Sequence, residues 1–331
     1  MLKNISIIGD GAMSSVCSML LCEKGYAVRM WGHNAEQLAK IKDNRENVIF
    51  LPGYKLPESL EFEPRDSEIM NGAELIISAI PCQYMRPVWK RLSQFVNPKI
   101  PIVSVAKGIE NETLLRPSQI INDVLGTKIK VVALSGPTIA EEIAKKLPAT
   151  ATAASKDERL AGTVQETFNC AYLRVYRNSD IVGVELAGAM KNVIAIAAGI
   201  VDGIKLGDNA KAALLCRGLA EITRLGLALS AKEQTFSGLS GLGDLVTTCI
   251  SPMGRNRSLG QRIGRGATVQ EAINATHSVV EGVATCKSVI DLAKKHSINM
   301  PITESVYQIL FEGKSVPAAI EDLMTRKLKA E

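Results

Sequence analysis

Between Leu186 and Val201 the chain reads LAGAMKNVIAIAAGIV, and Lys191 is the only charged residue in that run. An unpaired ammonium in such apolar surroundings costs on the order of several kcal/mol, or lowers its own pKa. A lysine so placed exchanges a proton near neutral pH, which is the chemistry that reduction of a carbonyl requires. The plainer reading is a lysine that reaches the helix surface beside Asn192. Further on, GLSGLGDLVTTC sets Asp244 and Thr248 four residues apart, on one face if the segment is helical. SPMGRNRSLGQRIGRG follows, a loop-like stretch with Arg255, Arg257, Arg262 and Arg265 among glycines and no acids. No Phe, Tyr or Trp lies between Phe236 and Tyr307, so the stretch has no stacking platform for nucleic acid. Arg255 gripping a phosphate dianion through two parallel hydrogen bonds fits better, with a solvated basic loop as the plain alternative.

A second set of residues lies in the first half. IIGDGAMS places Gly9 and Gly11 between a strand pattern and a helix pattern at the start of a βαβ unit. Gly9 allows a tight turn, and Gly11 lets a pyrophosphate approach the backbone at the helix N-terminus. Ser14 stands where the usual fingerprint has its third glycine, a position that serves close packing. The next strand ends in Met30-Trp31-Gly32-His33 without the acid that an NAD-selective fold carries there, and Arg29 and His33 offer donors instead. A 2′-phosphate meets no repulsion from that strand, so NADP is allowed and slightly favoured; the alternative is that His33 only caps the helix that follows. Lys107, in SVAKGIE, lies just past a strand, where open α/β sheets hold their ligands. It binds a substrate oxygen or phosphate, or is an ordinary loop lysine. Ser135-Gly136-Pro137-Thr138 lies past the next strand and leads into a helix whose N–H groups suit an anion.

These groups need a scaffold, and the apolar pattern supplies one. Strands are expected at Asn4–Ile8, Ala27–Trp31, Glu74–Ile80, Ile100–Ala106 and Lys130–Leu134, alternating with helices at Ala12–Lys24, from Ala35 to Lys42, at Gln83–Phe95 with a break at Pro87, and at Leu115–Leu125. Continuous Val and Ile strands between amphipathic helices specify a doubly wound α/β fold with a parallel sheet covered on both faces. From Ile181 onward the chain shows helical spacing with breaks at Gly207, Gly241–Gly243, Pro252–Gly254 and Pro301. Two domains are expected, residues 1–180 and an all-α second domain, 181–331, whose last residues, MTRKLKAE, form a solvated helix end.

Composition sets limits. The 331 residues are 46% hydrophobic and 22% charged, which excludes a disordered or fibrous chain. A net charge of +5 suits a small anionic substrate and is too weak to argue for nucleic acid. The seven cysteines are scattered without a CxxC pair, as expected of buried thiols in a reducing compartment. The apolar run around Lys191 covers about 16 residues, short of the ~20 that span a bilayer, and no signal peptide pattern opens the chain. A cytoplasmic protein is expected. His33, His277 and His296 are the only histidines, none within a readable dehydrogenase arrangement, and no His, Cys or carboxylate cluster has metal-ligand spacing.

Taken together, WGH at 31–33, AKGIE at 106–110, SGPTIAEE at 135–142, GVELAGAMKNVIAIAAGIVDG at 183–203, GLGDLVTTC at 241–249, GRNR at 254–257, VVEGVAT at 279–285 and MPITESVY at 300–307 resemble the bacterial NAD(P)-dependent glycerol-3-phosphate dehydrogenases along essentially the whole chain. The resemblance implies a Rossmann-like first domain and a second domain like the C-terminal fold of 6-phosphogluconate dehydrogenase. It implies NAD(P)H-dependent reduction of dihydroxyacetone phosphate to sn-glycerol 3-phosphate for phospholipid synthesis, with NADPH or NADH as cofactor; the apolar, glycine-rich helices of the second domain suit a homodimer. By similarity Lys191 is the proton donor. Lys107, Gly136, Thr138, Asp244, Gly254, Arg255 and Asn256 fall on substrate positions, supported by Asn192 and Thr248. Gly9, Gly11, Ala12, Met13, His33, Lys107, Ala140, Arg255, Val279 and Glu281 fall on cofactor positions. Ala12-Met13-Ser14 stands where the family commonly has Ser, an aromatic and Gly, and Gly254 where Ser is frequent. Two rival readings exist. A hydroxy-acid or sugar-acid dehydrogenase would need a carboxylate clamp, and a non-catalytic nucleotide sensor would not need Lys191, Asp244 and Arg255 together.

Overall fold

Alternate residues of the first strands face opposite sides, and both sides are apolar. In a computed structural model that describes residues 2–276 and 279–328, Ile5, Ile7, Leu75, Ile77 and Val103 pack into one core cluster. Ile8, Ile76 and Ile102, from the same strands, pack into another. A sheet buried on both faces needs continuous rather than alternating apolar runs, which is why these strands read as unbroken Val and Ile. Each such side chain taken from water contributes roughly 1.5–3 kcal/mol.

The chain divides into two compact units, Met1–Lys107 with Leu115–Glu185 and Gly108–Leu114 with Leu186–Glu331. In the N-terminal unit the strands are β1 (Asn4–Ile8), β2 (Ala27–Trp31), β3 (Glu61–Phe62), β4 (Leu75–Ser78), β5 (Ile102–Ser104), β6 (Val131–Ser135), β7 (Ala149–Ala154) and β8 (Leu173–Asn178). They form one sheet in the order β3-β2-β1-β4-β5-β6-β7-β8. Its first six strands have the order of a dinucleotide-binding sheet. The helices are α1 (Ala12–Glu23), α2 (Ala35–Asn44), α3 (Asp66–Ile69), α4 (Cys82–Leu92), α5 (Pro117–Leu125), α6 (Ala140–Ala144) and α7 (Glu158–Phe168).

The doubly wound α/β architecture is present, with local departures from expectation. The sheet is not wholly parallel, because β7 runs antiparallel to β6. Pro87 does not break α4, whose buried face of Cys82, Met85, Val88, Trp89 and Leu92 carries the helix through it. The strands β4 and β5 are shorter than their apolar runs.

The second unit is helical: α8 (Ile181–Gly203, which starts in the first unit), α9 (Asp208–Ala228), α10 (Glu233–Phe236), α11 (Asp244–Ile250), α12 (Arg255–Gly264), α13 (Val269–Asn274), α14 (Glu281–Lys295), α15 (Pro301–Phe311) and α16 (Val316–Met324). The buried Glu221 of α9 accepts hydrogen bonds from the Ile302 and Thr303 N–H groups at 2.7 and 3.2 Å, satisfying donors that α15 leaves open at its start. Gly207 and Pro301 stand at helix starts as expected, whereas Gly241–Gly243 does not break the chain. Residues Leu239–Gly243 form a π-helical turn that runs straight into α11. A Cβ at Gly241 would lie 2.0 Å from the Phe236 carbonyl oxygen, so only glycine permits that turn.

The helix α8 has 23 residues, longer than the apolar run suggested. It is long and apolar enough to cross a membrane, yet 89% of its most apolar stretch is buried inside the protein. The seven cysteines form no disulfide, and Cys216 is exposed where burial was expected. His277 and the last three residues of the chain lie outside the described residues.

Candidate active site

In the N-terminal unit, β1 runs into the glycine turn and then into α1. Gly9 has φ +124°, and a Cβ there would lie 2.6 Å from the Ala79 carbonyl oxygen, so glycine is required on both counts. Gly11 is the N-cap of α1, no side chain caps the helix, and the space beside Gly11 is open. Uncapped N–H groups at a helix start beside open space fit the pyrophosphate of a dinucleotide. Ala12 and Met13 are partly buried and pack against the core through their side chains. An anion at this turn would therefore meet their backbone N–H groups rather than their side chains. Ser14 is fully buried and its hydroxyl has no hydrogen-bond partner, in keeping with a packing position.

Past the end of β2, His33 is exposed. It does not cap α2, because Asn34 does so, accepting from the Glu36 and Gln37 N–H groups. Nor is Arg29 a donor held ready for a ligand, since its guanidinium donates to the Glu68 and Asn71 carbonyl oxygens.

Past β5 and β6, the Lys107 ammonium donates to the Gly136 carbonyl oxygen at 2.8 Å, and the Thr138 hydroxyl donates to the same oxygen at 3.1 Å. Lys107, Gly136 and Thr138 thus form one cluster at adjacent strand ends. Gly136 has φ +143° and a Cβ there would meet the Thr150 carbonyl oxygen at 2.9 Å. Ala140 opens α6 nearby in the chain.

The C-terminal unit builds its cluster from buried side chains. The Lys191 ammonium lies 2.6 Å from Asp244 Oδ1 and 2.6 Å from the Thr248 Oγ1. The side chains of Lys191 and Asp244 are 7% and 2% exposed. The expectation of an unpaired ammonium is therefore corrected. Lys191 is buried, but a carboxylate opposes its charge. It does not reach out to the helix surface. Asp244 and Thr248 share a face of α11, as their spacing required, with Thr248 Oγ1 3.5 Å from Asp244 Oδ1. Beside them, burial pushes the Cys249 thiol up to about 12, which leaves it protonated and inert at neutral pH.

The basic stretch after α11 is a helix, not a loop. Two of its glycines are packing contacts with α8: a Cβ at Gly260 would lie 2.0 Å from the Ile196 carbonyl oxygen and one at Gly264 2.5 Å from that of Ile200, while from the α8 side a Cβ at Gly199 would lie 2.0 Å from the Arg257 carbonyl oxygen. That close approach sets α12 directly on α8, the helix that carries Lys191 and Asn192. Gly254 is the N-cap of α12 and Arg255 its first residue, exposed, with one guanidinium N–H directed at the Val279 carbonyl oxygen at 3.3 Å. Asn256 is buried and accepts from the Gly282 N–H at 3.0 Å, which ties α12 to the start of α14, whose first residue is Glu281. Asn192 is buried, and its carbonyl oxygen would lie 2.7 Å from a Cβ on Gly282. Arg257 is committed to Asp202, which Lys211 also holds at 2.7 Å. Among the arginines of this stretch, Arg255 is thus placed at a helix start, and Arg257 belongs to the framework.

Comparison with known proteins agrees with this geometry. Residues 4–161 match the family model for the NAD-dependent glycerol-3-phosphate dehydrogenase N-terminus, and residues 180–321 match that for the C-terminus. The chain is 47% identical to the glycerol-3-phosphate dehydrogenase [NAD(P)+] of Citrifermentans bemidjiense, over 100% of this chain and 99% of that protein. It is 46% identical to the same enzyme of Geobacter sp. strain M21, again over 100% and 99%. The crystal structure of the Coxiella burnetii glycerol-3-phosphate dehydrogenase superposes with a TM-score of 0.94 at 34% identity, over 98% of this chain and 99% of that one. With both halves matched and the glycine turn and the lysine cluster in the expected elements, the chain belongs to the NAD-dependent glycerol-3-phosphate dehydrogenase family, oxidoreductases that use NAD(P).

Proposed function

We propose that this chain reduces dihydroxyacetone phosphate to sn-glycerol 3-phosphate, reversibly, with Lys191 as the proton donor, and that the product feeds glycerophospholipid synthesis. The observation that carries the reading is the buried Lys191–Asp244–Thr248 cluster, because a protonated amine held by a carboxylate is an acid fixed in one position.

Reduced nicotinamide, when bound, supplies a hydride equivalent to the ketone carbon. The glycine turn and the start of α1 hold its pyrophosphate, with His33, Ala140, Val279 and Glu281 as further cofactor contacts. Lys191 Nζ gives a proton to the developing alkoxide and is left neutral beside Asp244. Asp244 and Thr248 keep the amine from rotating away, so the proton leaves along one direction. Arg255, with the Gly254 and Asn256 backbone at the start of α12, grips the substrate phosphate, where the helix dipole adds to the guanidinium charge. Lys107, Gly136 and Thr138 hold substrate oxygens, and Asn192 supports the pocket.

A homodimer in the cytoplasm completes the proposal, supported by the exposed Leu206 and Leu227 beside and on α9 and by seven cysteines outside any disulfide. Light scattering of the purified protein tests the dimer.

The direct test follows nicotinamide absorbance with dihydroxyacetone phosphate and with unphosphorylated dihydroxyacetone. Turnover with the ester alone is expected. Equal turnover with both would remove the phosphate grip from the account, and competition by hydroxy acids but not by phosphate esters would transfer it to a different substrate class.

A further inference from the structure

We propose that Asp10 sets the choice of dinucleotide: its carboxylate takes the place of the missing acid at the end of β2, accepts the hydroxyls of the adenosine ribose, excludes a 2′-phosphate, and makes the chain prefer NAD(H). The inference rests on the dinucleotide site argued above.

In dinucleotide-binding sheets the ribose acid stands about 20 residues beyond the glycine turn, at the end of the second strand. Here β2 ends at Trp31 and continues into Gly32 and His33, neither of them acidic. The space that a side chain at position 32 would fill is nevertheless occupied. A Cβ on Gly32 would fall 2.7 Å from Asp10 Oδ2 and 3.1 Å from Asp10 Cβ. Gly32 does not have a positive φ, so its backbone makes no demand for glycine and its lack of a side chain serves to leave room. The carboxylate that β2 lacks is thus delivered to the end of β2 from the glycine turn.

The backbone that presents it is fixed. The Asn47 side-chain amide, 1% exposed, donates to the Asp10 carbonyl oxygen at 2.8 Å and to the Ser15 hydroxyl at 2.9 Å. Neighbouring cations are spoken for. Arg29 serves the Glu68 and Asn71 carbonyl oxygens, and Arg91 pairs with Asp66 at 2.6 Å and lies over the Trp31 ring. Among the described residues, no lysine or arginine forms an ion pair with Asp10, and His33 is the charge-bearing neighbour that acts on it. Partial burial raises the Asp10 carboxyl, while its own N–H and His33 lower it. An acid kept at some desolvation cost, without a lysine or arginine partner, beside a position emptied to receive it, is arranged to accept hydroxyl donors. Two such acceptor lone pairs suit a vicinal diol, and the same negative charge disfavours a phosphate dianion. The preference assigned is the reverse of the one that β2 read alone suggests.

Binding without substrate tests this, by nicotinamide fluorescence titration of NADH and NADPH into the wild-type chain, Asp10→Asn and Asp10→Ala. The wild type is expected to bind NADH at least about tenfold more tightly than NADPH, and Asp10→Asn, which keeps the side chain's shape, to bring the two within about threefold. Asp10→Ala should narrow the gap similarly, and thermal unfolding of each variant shows whether the fold is intact. Equal binding of both dinucleotides by the wild type, or a ratio unmoved in a folded Asp10→Asn variant, would overturn the role of Asp10 and leave the dinucleotide site standing. Failure of the wild type to bind either would overturn the site and this inference with it.

Discussion

In the N-terminal unit the groups assigned to a ligand are mostly backbone: the Gly9–Gly11 turn, the uncapped start of α1, and the strand ends where Lys107 and Thr138 gather on the Gly136 carbonyl. In the C-terminal unit they are mostly side chains, with Lys191, Asp244 and Asn256 buried and each held by a partner from another helix. A backbone site depends on turn geometry, and its hold on a pyrophosphate tolerates exchange of Ala12 and Met13, the residues just past the turn. A buried side-chain site tolerates almost nothing, because removing one member strands the other's charge or hydrogen bond.

The sharpest break of the comparison is Asp244→Ala. It removes the carboxylate that opposes the buried Lys191 ammonium, so stability should fall by about 3–5 kcal/mol. Turnover should fall by about 100-fold or more as the acid loses its position. Chemical denaturation alongside steady-state assays reads both; loss of neither would show that the pair does not behave as a buried unit. Arg255→Ala comes next. Losing hydrogen bonds from a charged donor to a phosphate is worth roughly 1.5–3 kcal/mol, so KM for the phosphorylated substrate should rise about 10- to 100-fold. An unmoved KM would remove Arg255 from the phosphate.

Glu221→Gln separates structure from chemistry within the same unit. Glu221 is as buried as Asp244, but its partners are the N–H groups and hydroxyl at the start of α15. Stability should drop by about 1–3 kcal/mol, with kcat of the folded enzyme unchanged. A fall in kcat would mean that this carboxylate reaches the reaction after all. The smallest effect is expected at Met13→Ala, where NADH affinity should change by less than about threefold because the turn acts through its backbone. A large loss of affinity would put side chains back into the pyrophosphate site.

The same contrast governs what can be read from residues alone. The run from β1 through the glycine turn into α1 is legible because its apolar pattern and its glycines are contiguous. The strands β7 and β8 are not: ATATAA is small and weakly apolar, and LRVYRN alternates, so neither resembles the Val and Ile runs beside them. The stretch holding Arg255 reads as a loop because glycine disfavours an isolated helix. Here Gly260 and Gly264 are used for contact with α8, which only the tertiary structure shows. Lys191 stands out in its apolar run, and Asp244 and Thr248 share a face by spacing. What the sequence does not reveal is that they meet, since Lys191 and Asp244 are 53 residues apart. Asp10 is in plain view inside the glycine turn, but its relation to Gly32 exists only when β1 and β2 lie side by side.

The central claim is that the backbone turn holds the dinucleotide while Lys191 supplies the proton, and Lys191→Met separates the two. Methionine keeps the length and apolar stem of the side chain and removes its protons. The account predicts that NADH binds the variant within about twofold of the wild-type affinity while turnover of dihydroxyacetone phosphate falls by about 100-fold or more. Turnover near the wild-type rate would contradict it, as would loss of NADH binding in a folded variant.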